Sequence, residues 1–146
     1  MKKLLKYDKY IILGIIIAYF ILLIFPCGQY MYGNHIDYRA SGYSLIFGLK
    51  DGDYSVYKFN VYGFIVMLLY LSVIPILFIK KLKGKNTLVA SIALSVFSIM
   101  SIFSMNLVNH GGSGVSSYFV VITFYYIFTI LLALLSGFVV YLNCRR

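Results

Sequence analysis

The sequence predicts an all-α integral membrane protein, a bundle of four transmembrane helices with a small extracytoplasmic cap between the first two. The chain has 146 residues, enough for one domain, and 62% of them are hydrophobic while 12% are charged. That balance lies outside the range of soluble globular domains. Four long apolar runs follow one another, and positive charge is concentrated beside them. The richness in Ile, Lys, Tyr and Asn is typical of a bacterial protein.

The first span is predicted over residues 10–26, after four lysines. A helix of this length extends about 26 Å, slightly less than a hydrocarbon core of about 30 Å. Lys6 and Lys9 can reach the inner interface along their aliphatic stems, and Pro26 ends the helix. Because no small residues precede a cleavage point, we expect a retained helix and not a removed signal peptide.

The cap is predicted over residues 27–58, the only long polar interval in the chain. Tyr43–Leu49 and Tyr54–Phe59 are rich in aromatic and β-branched residues and flank the turn residues 50–53. This pattern predicts a β-hairpin. A short interfacial helix over Tyr43–Leu49 is the alternative.

The other spans are predicted from uncharged runs over residues 59–79, 87–108 and 118–142. A cytoplasmic loop over residues 80–86 joins the second span to the third, and an outer loop over residues 109–117 joins the third to the fourth. No linker is long enough to separate two domains.

Orientation follows from the distribution of the thirteen basic residues. Three of them, Arg39, Lys50 and Lys58, lie in the cap. The other ten lie in the N-terminal segment, in the loop over residues 80–86 and at the C-terminus. The positive-inside rule therefore predicts a multi-pass protein of the plasma membrane with both termini in the cytoplasm. Because the basic residues flank the apolar runs, we attribute the net charge of +9 to membrane topology and contact with anionic lipid headgroups. No nucleic acid is therefore expected as a partner.

The predicted spans contain no Asp, Glu, Lys, Arg or His. Carriers coupled to protons or ions need an ionisable group near the middle of the membrane. Coupled transport by this chain alone is therefore not expected.

Small residues recur at four-residue spacing in three of the spans, which favours close packing of helices in lipid. These positions are Gly14 with Ala18, Ser91 with Ser95, and Ala133 with Gly137, and Ser98 lies on the same helix face as Ser91 and Ser95. The main interpretation is packing inside the bundle, with the serines bonded back to carbonyls of their own helix. A polar stripe facing a partner helix or a pore is the alternative.

An enzyme is not predicted, because no nucleophile lies beside a base in a suitable context. Ser113 and His110 share a glycine-rich loop, which is the simpler interpretation of both. The outer-face residues His35, Asp37, Asp51, Asp53 and His110 match no spacing of metal ligands. We therefore expect neither a metal site nor a cofactor.

The cap carries six of the fifteen tyrosines, more than an interfacial belt requires. Tyrosine is frequent in binding surfaces because it gives a large contact area at low entropic cost. We predict that these tyrosines bind another membrane or extracytoplasmic protein, although they could also merely cover the bundle. They are Tyr30, Tyr32, Tyr38, Tyr43, Tyr54 and Tyr57.

The function predicted from the sequence is that of a non-enzymatic accessory subunit or an immunity-type protein, which lies in the lipid bilayer and binds its partner through the cap and the small-residue helix faces. The alternative is a small oligomeric channel or uncoupled transporter lined by the serines of the third span. The sequence leaves the oligomeric state open.

Overall fold

The computed structural model describes residues 7–32, 35–51, 54–79, 85–107 and 117–144. These residues are mostly helical, with two small sheets. The helices are α1 (Asp8–Leu22), α2 (Gly42–Phe47), α3 (Val61–Ile76), α4 (Asn86–Asn106) and α5 (Thr123–Cys144). The strands are β1 (Pro26–Tyr32), β2 (His35–Ser41), β3 (Leu49–Asp51), β4 (Tyr54–Tyr57) and β5 (Ser117–Val121).

The four longer helices pack against one another. Helix α4 makes the most extensive contacts, with α5 on one side and α3 on the other, and α1 contacts all three. Two segments, Asn86–Met105 and Thr123–Cys144, are long and apolar enough to cross a membrane. Helices α1 and α3 have 15 and 16 residues, which corresponds to about 22–24 Å.

The larger sheet is antiparallel and has the strand order β2-β1-β5. Strand β5 covers the last residue of the predicted outer loop and the first four residues of the predicted fourth span, and it pairs with β1 from Gly28↔Val121 to Tyr32↔Ser117. The predicted cap lay entirely between the first two spans, so this sheet joins two segments that the sequence analysis kept apart. Two helix ends also differ from the predicted spans. Helix α1 stops at Leu22, where a turn over residues 23–25 leads into β1, and α5 starts only at Thr123, because residues 118–121 are paired in the sheet.

Both alternatives for Tyr43–Leu49 describe part of that segment. Its first part is α2, whose N-terminus is capped where the Ser41 hydroxyl accepts a hydrogen bond from the Ser44 amide at 3.2 Å. Gly48 has a φ of 86°, a left-handed conformation that favours glycine, and it ends the helix. The hairpin follows as a shorter ladder of β3 with β4.

The interior is polar for a helical core, and the outward faces are apolar. Buried hydroxyl-bearing side chains are Tyr19, Tyr70, Thr87, Ser91, Ser98, Ser101, Ser104, Tyr125, Thr129 and Ser136. Large apolar side chains are exposed along the longer helices, among them Ile17, Leu68, Ile99, Phe103, Leu134 and Phe138. Most of the other buried side chains are apolar, so the unusual feature is the number of large apolar side chains on the outside.

Candidate functional site

One end of the molecule carries both sheets, and we call the described residues between 25 and 60 and between 117 and 122 the sheet end. Backbone hydrogen bonds join its segments to one another and to the residue that follows α1. The Ile122 amide donates to the Cys27 carbonyl and the Asn60 amide donates to the Ile46 carbonyl, each at 2.9 Å. The Tyr43 amide donates to the Leu23 carbonyl at 3.1 Å. The sheet end is therefore held by strand, turn and short helix together.

Asn60 links the sheet end to two helices, and the sequence analysis did not single it out. Its side chain is buried, and its Oδ1 accepts from the Gly63 amide at 3.0 Å, which caps α3. Its Nδ2 donates to the Ser104 carbonyl near the end of α4 at 2.8 Å. An asparagine directly before an apolar run is a recognisable N-cap signal. The second bond has no sequence signal.

Cys27 and Gly42 form the tightest part of the sheet end. The Cys27 thiol is buried and donates to the Phe25 carbonyl at 3.3 Å, and burial raises its pKa to about 12. A Cβ added to Gly42 would lie 2.9 Å from the Leu23 Cα and 3.2 Å from the Cys27 Sγ. The thiol is therefore protonated at neutral pH and enclosed, which is typical of an inert structural cysteine. It is not bonded to the exposed Cys144.

Tyr43, one of the predicted partner-binding residues, makes contacts within the chain. It is half-buried, its hydroxyl donates to the Phe20 carbonyl at 3.3 Å, and its ring stacks on that of Phe47 with centroids 6.4 Å apart. Tyr43 therefore fastens α2 to the end of α1. Its replacement would disturb the sheet end itself.

The other five predicted tyrosines belong to two separate ladders. In the larger sheet the backbone register places Tyr30 opposite both Tyr38 of β2 and Phe119 of β5. Tyr32 lies at the end of β1. Tyr54 and Tyr57 lie in β4, opposite Asp51 and Leu49. The structure thus brings three aromatic positions side by side across three strands and places the two β4 positions in the smaller sheet.

The strands at the outside of these sheets have open edges. Within the described part of the chain, β2 and β5 each pair only with β1, and β3 and β4 pair only with each other. The sequence of β5 is SYFVV, without charge or proline. Charges and prolines are the usual means by which proteins protect an edge strand. An unprotected edge can accept a strand from another chain.

The serines predicted to form a stripe on the third span face the inside of the molecule. Ser91, Ser95 and Ser98 each donate to the carbonyl four residues earlier, at 2.6 to 3.1 Å. Two of them also reach another helix. The Ser95 hydroxyl bonds that of Ser136 at 2.8 Å, and the Ser98 hydroxyl bonds that of Tyr70 at 2.7 Å. The stripe is thus engaged in bonding within its own helix and in packing between helices.

The small-residue pairs of the other two spans do not make the expected close contacts. Apart from its chain neighbours and the nearby backbone of its own helix, a Cβ added to Gly14 or Gly137 would meet no atom of the described residues within 4 Å. Ala18 packs at the margin of the core, and Ala133 is half-buried. Helix α5 meets α4 through Ser136, which lies one residue and about 100° away from Gly137. The described residues bring no other helix close to the two glycines, and the packing role predicted for these positions stays a prediction.

Three tyrosines occupy the centre of the helices. The rings of Tyr19 and Tyr70 are stacked, with centroids 3.8 Å apart and planes 2° apart. The Tyr125 hydroxyl donates to the Ser101 carbonyl at 3.3 Å. The Tyr19 hydroxyl is buried without a hydrogen bond of acceptable geometry, with Tyr125 close by. These residues lock α1, α3, α4 and α5 together.

The opposite end of the molecule carries a buried acidic side chain. Asp8 is 1% exposed, and its Oδ2 accepts from Asn143 Nδ2 at 3.2 Å. The Thr87 hydroxyl donates to Asn143 Oδ1 at 3.0 Å. Helix α1 begins at Asp8, two residues before the predicted start of the first span. An ionisable side chain therefore lies at a contact between helices, whereas the predicted spans contained no ionisable residue. Its partners on α4 and α5 are too distant in sequence to be foreseen.

Neither similarity to other proteins nor a cluster of metal-binding side chains among the described residues indicates a function. Within the described ranges, no three His, Cys, Asp or Glu side chains come close enough together to hold a metal ion. Asp53, His110 and Ser113 lie outside the described residues. No protein-family model, curated protein or solved structure matches the chain. Function has to be inferred from the residues themselves.

Proposed function

We propose that this is a plasma-membrane protein with four spans that binds another protein through an open strand edge at its sheet end. It would act as an accessory subunit or an immunity-type protein and would perform no chemistry of its own. The binding role rests on β5, an uncharged edge strand of the three-stranded sheet that is directly followed by a long apolar helix.

The membrane part of the proposal is supported by the large apolar side chains on the outside of the helices. Phe103 and Leu134, on two different helices, are 66% and 64% exposed, whereas Ser98 and Ser136 are fully buried. A continuous apolar surface of this kind needs a lipid or protein cover. Helices α1 and α3, at about 22–24 Å, would span with the help of the turns that follow them. The positive-inside rule favours cytoplasmic termini and an extracytoplasmic sheet end.

The binding part is supported by the difference between the two edges of the larger sheet. Strand β2 carries Asp37 and Arg39, charges that discourage pairing with another chain, whereas β5 carries none. Three strands also make a firmer template than the two-stranded ladder of β3 with β4. A partner strand would bond to the β5 backbone and would be selected by the side chains around it.

The channel alternative has weaker support. A pore between copies would need the α4 serines to face outward, and they are bonded to their own helix and to neighbouring helices of the same chain.

The proposal is tested at Val120, which lies opposite Gln29 of the central strand. A Val120→Lys variant places a charge on the edge. It should abolish photo-crosslinking from position 119 to the native partner in cells, because a partner strand would have to bury the ammonium. The matched control is Gln29→Lys, the same charge one strand further in, which should retain the crosslinked product. Equal crosslinking by the two variants, or crosslinking from position 138 instead of 119, would contradict binding at the β5 edge.

A further inference from the structure

A groove opens at the end of the molecule opposite the sheets. We call this end of the molecule the basic end, and it is formed by Tyr7–Tyr10, Phe78, Ile79, Asn86, Thr87 and Asn143. The groove has a volume of about 780 Å³ and lies between the first turns of α1 and the turn that follows α3. Its lining residues are Tyr7, Lys9, Tyr10, Leu13, Leu77 and Phe78. We propose that it binds the headgroup and upper acyl chain of an anionic phospholipid, an inference that rests on the proposed membrane location.

The charge of the groove is not neutralised by the nearest carboxylate. Asp8 precedes Lys9 but points into the helices, where Asn143 donates to it. The Lys9 ammonium instead lies 5.8 Å from the centre of the Phe78 ring, a cation–π distance. The three remaining aspartates of the chain belong to the segment over residues 27–58, and of these Asp37 and Asp51 lie in strands of the sheet end. The groove is therefore electropositive.

The lining matches a lipid better than a free anion. Lys9 and the hydroxyls of Tyr7 and Tyr10 can donate to phosphate oxygens, while Leu13, Leu77 and Phe78 give an apolar wall below them. A soluble phosphate would use only the upper part. Basic pockets between helices on the cytoplasmic side of a membrane are typical sites for anionic headgroups. Tyr10 and Phe78 are 70% and 68% exposed, so the groove is open to the bilayer.

The test measures lipid retained by the purified full chain, using native mass spectrometry with phosphatidylglycerol and phosphatidylcholine of identical acyl chains. The wild type should retain phosphatidylglycerol preferentially. Lys9→Gln should weaken that binding about fivefold, the effect expected of one basic residue near anionic lipid. Lys85→Gln is the matched control, an exposed lysine at the same end outside the groove lining. It should change binding less than twofold.

Three outcomes would overturn the proposal. Equal losses in the two variants would mean general attraction to the basic surface. Displacement of the lipid by millimolar inorganic phosphate would identify a free anion as the ligand. A dimer in place of bound lipid would identify a second copy as the occupant.

Failure of the groove is separable from failure of the membrane proposal by thiol labelling. Cys144 is exposed near the basic end, while Cys27 is buried and unreactive. An impermeant thiol reagent should label Cys144 only after intact cells are permeabilised. Labelling from outside would overturn the orientation, whereas protected Cys144 with no effect of Lys9→Gln would overturn the lipid site alone.

Discussion

Different kinds of hydrogen bond stabilise the two ends of the molecule. At the basic end, side chains from three helices bond to one another through Asp8, Asn143 and Thr87. In addition, Asn86 Nδ2 donates to the Ile79 carbonyl at 2.7 Å. At the sheet end, most of the connections are backbone ladders and backbone bonds to turns, with Asn60 as the main side-chain link.

This difference decides where a protein partner can be accepted. Once the donors and acceptors of a side-chain cluster are hydrogen-bonded to one another, they offer no further hydrogen bonds to a partner. A ladder always ends in a strand whose outer backbone groups are free to pair again. The basic end is therefore suited to a lipid that contacts its surface, and the sheet end to a protein that extends its structure.

The largest effect is expected from Gly42→Ala, which breaks the sheet end. The added Cβ would lie within 2.9 Å of a backbone atom of Leu23, which cannot move like a flexible side chain. We expect a loss of about 3 kcal/mol in the free energy of unfolding, at the upper end of the range for overpacking. Thermal unfolding in detergent measures it. The control is Gly14→Ala, where nothing lies within 4 Å. If both variants unfold alike, the close approach of α2 to α1 is wrong.

A smaller effect is expected from Asn143→Leu, which breaks the basic end. The change removes the Asn143 donor to the buried Asp8 carboxylate and the acceptor of the Thr87 hydroxyl. The expected loss is about 2 kcal/mol, because two hydrogen bonds of buried side chains are lost and leucine cannot replace them. Urea unfolding of the detergent-solubilised protein checks this against Cys144→Ala, the exposed neighbouring position. A stable Asn143→Leu protein would show that the cluster does not hold this end.

The smallest effect concerns the centre, where the two ends meet. Tyr70→Phe keeps the stack on Tyr19 but removes the 2.7 Å bond to Ser98, so we expect a loss of about 1 kcal/mol. Tyr19→Phe removes a hydroxyl without a well-formed bond and should be neutral or slightly stabilising. Melting temperatures of the pair in one detergent decide the matter, and the reverse order would disprove the bonding described for the two rings.

Local features of the fold could be predicted from the sequence, and contacts between distant segments could not. The back-bonding of Ser91 was predicted because its partner lies one turn away on the same helix. The spacing at Gly137 identifies residues that share a face but not what that face meets, so the close packing predicted there stays a prediction. Strand β5 was missed because its apolar residues continue into α5, so only pairing with β1 distinguishes them from the helix. The same distance in sequence hid the partners of Asp8.

The pairing of β1 with β5 has a consequence for the order in which the protein assembles. Gly28 lies opposite Val121, so the central strand is synthesised early and its second neighbour near the end of translation. Pairing over such a separation requires the intervening helices to be in place first, which makes it slow and late. Until then β1 has only β2 beside it, and the edge later covered by β5 stays open to other strands. Completion of the three-stranded sheet would therefore mark a fully inserted chain.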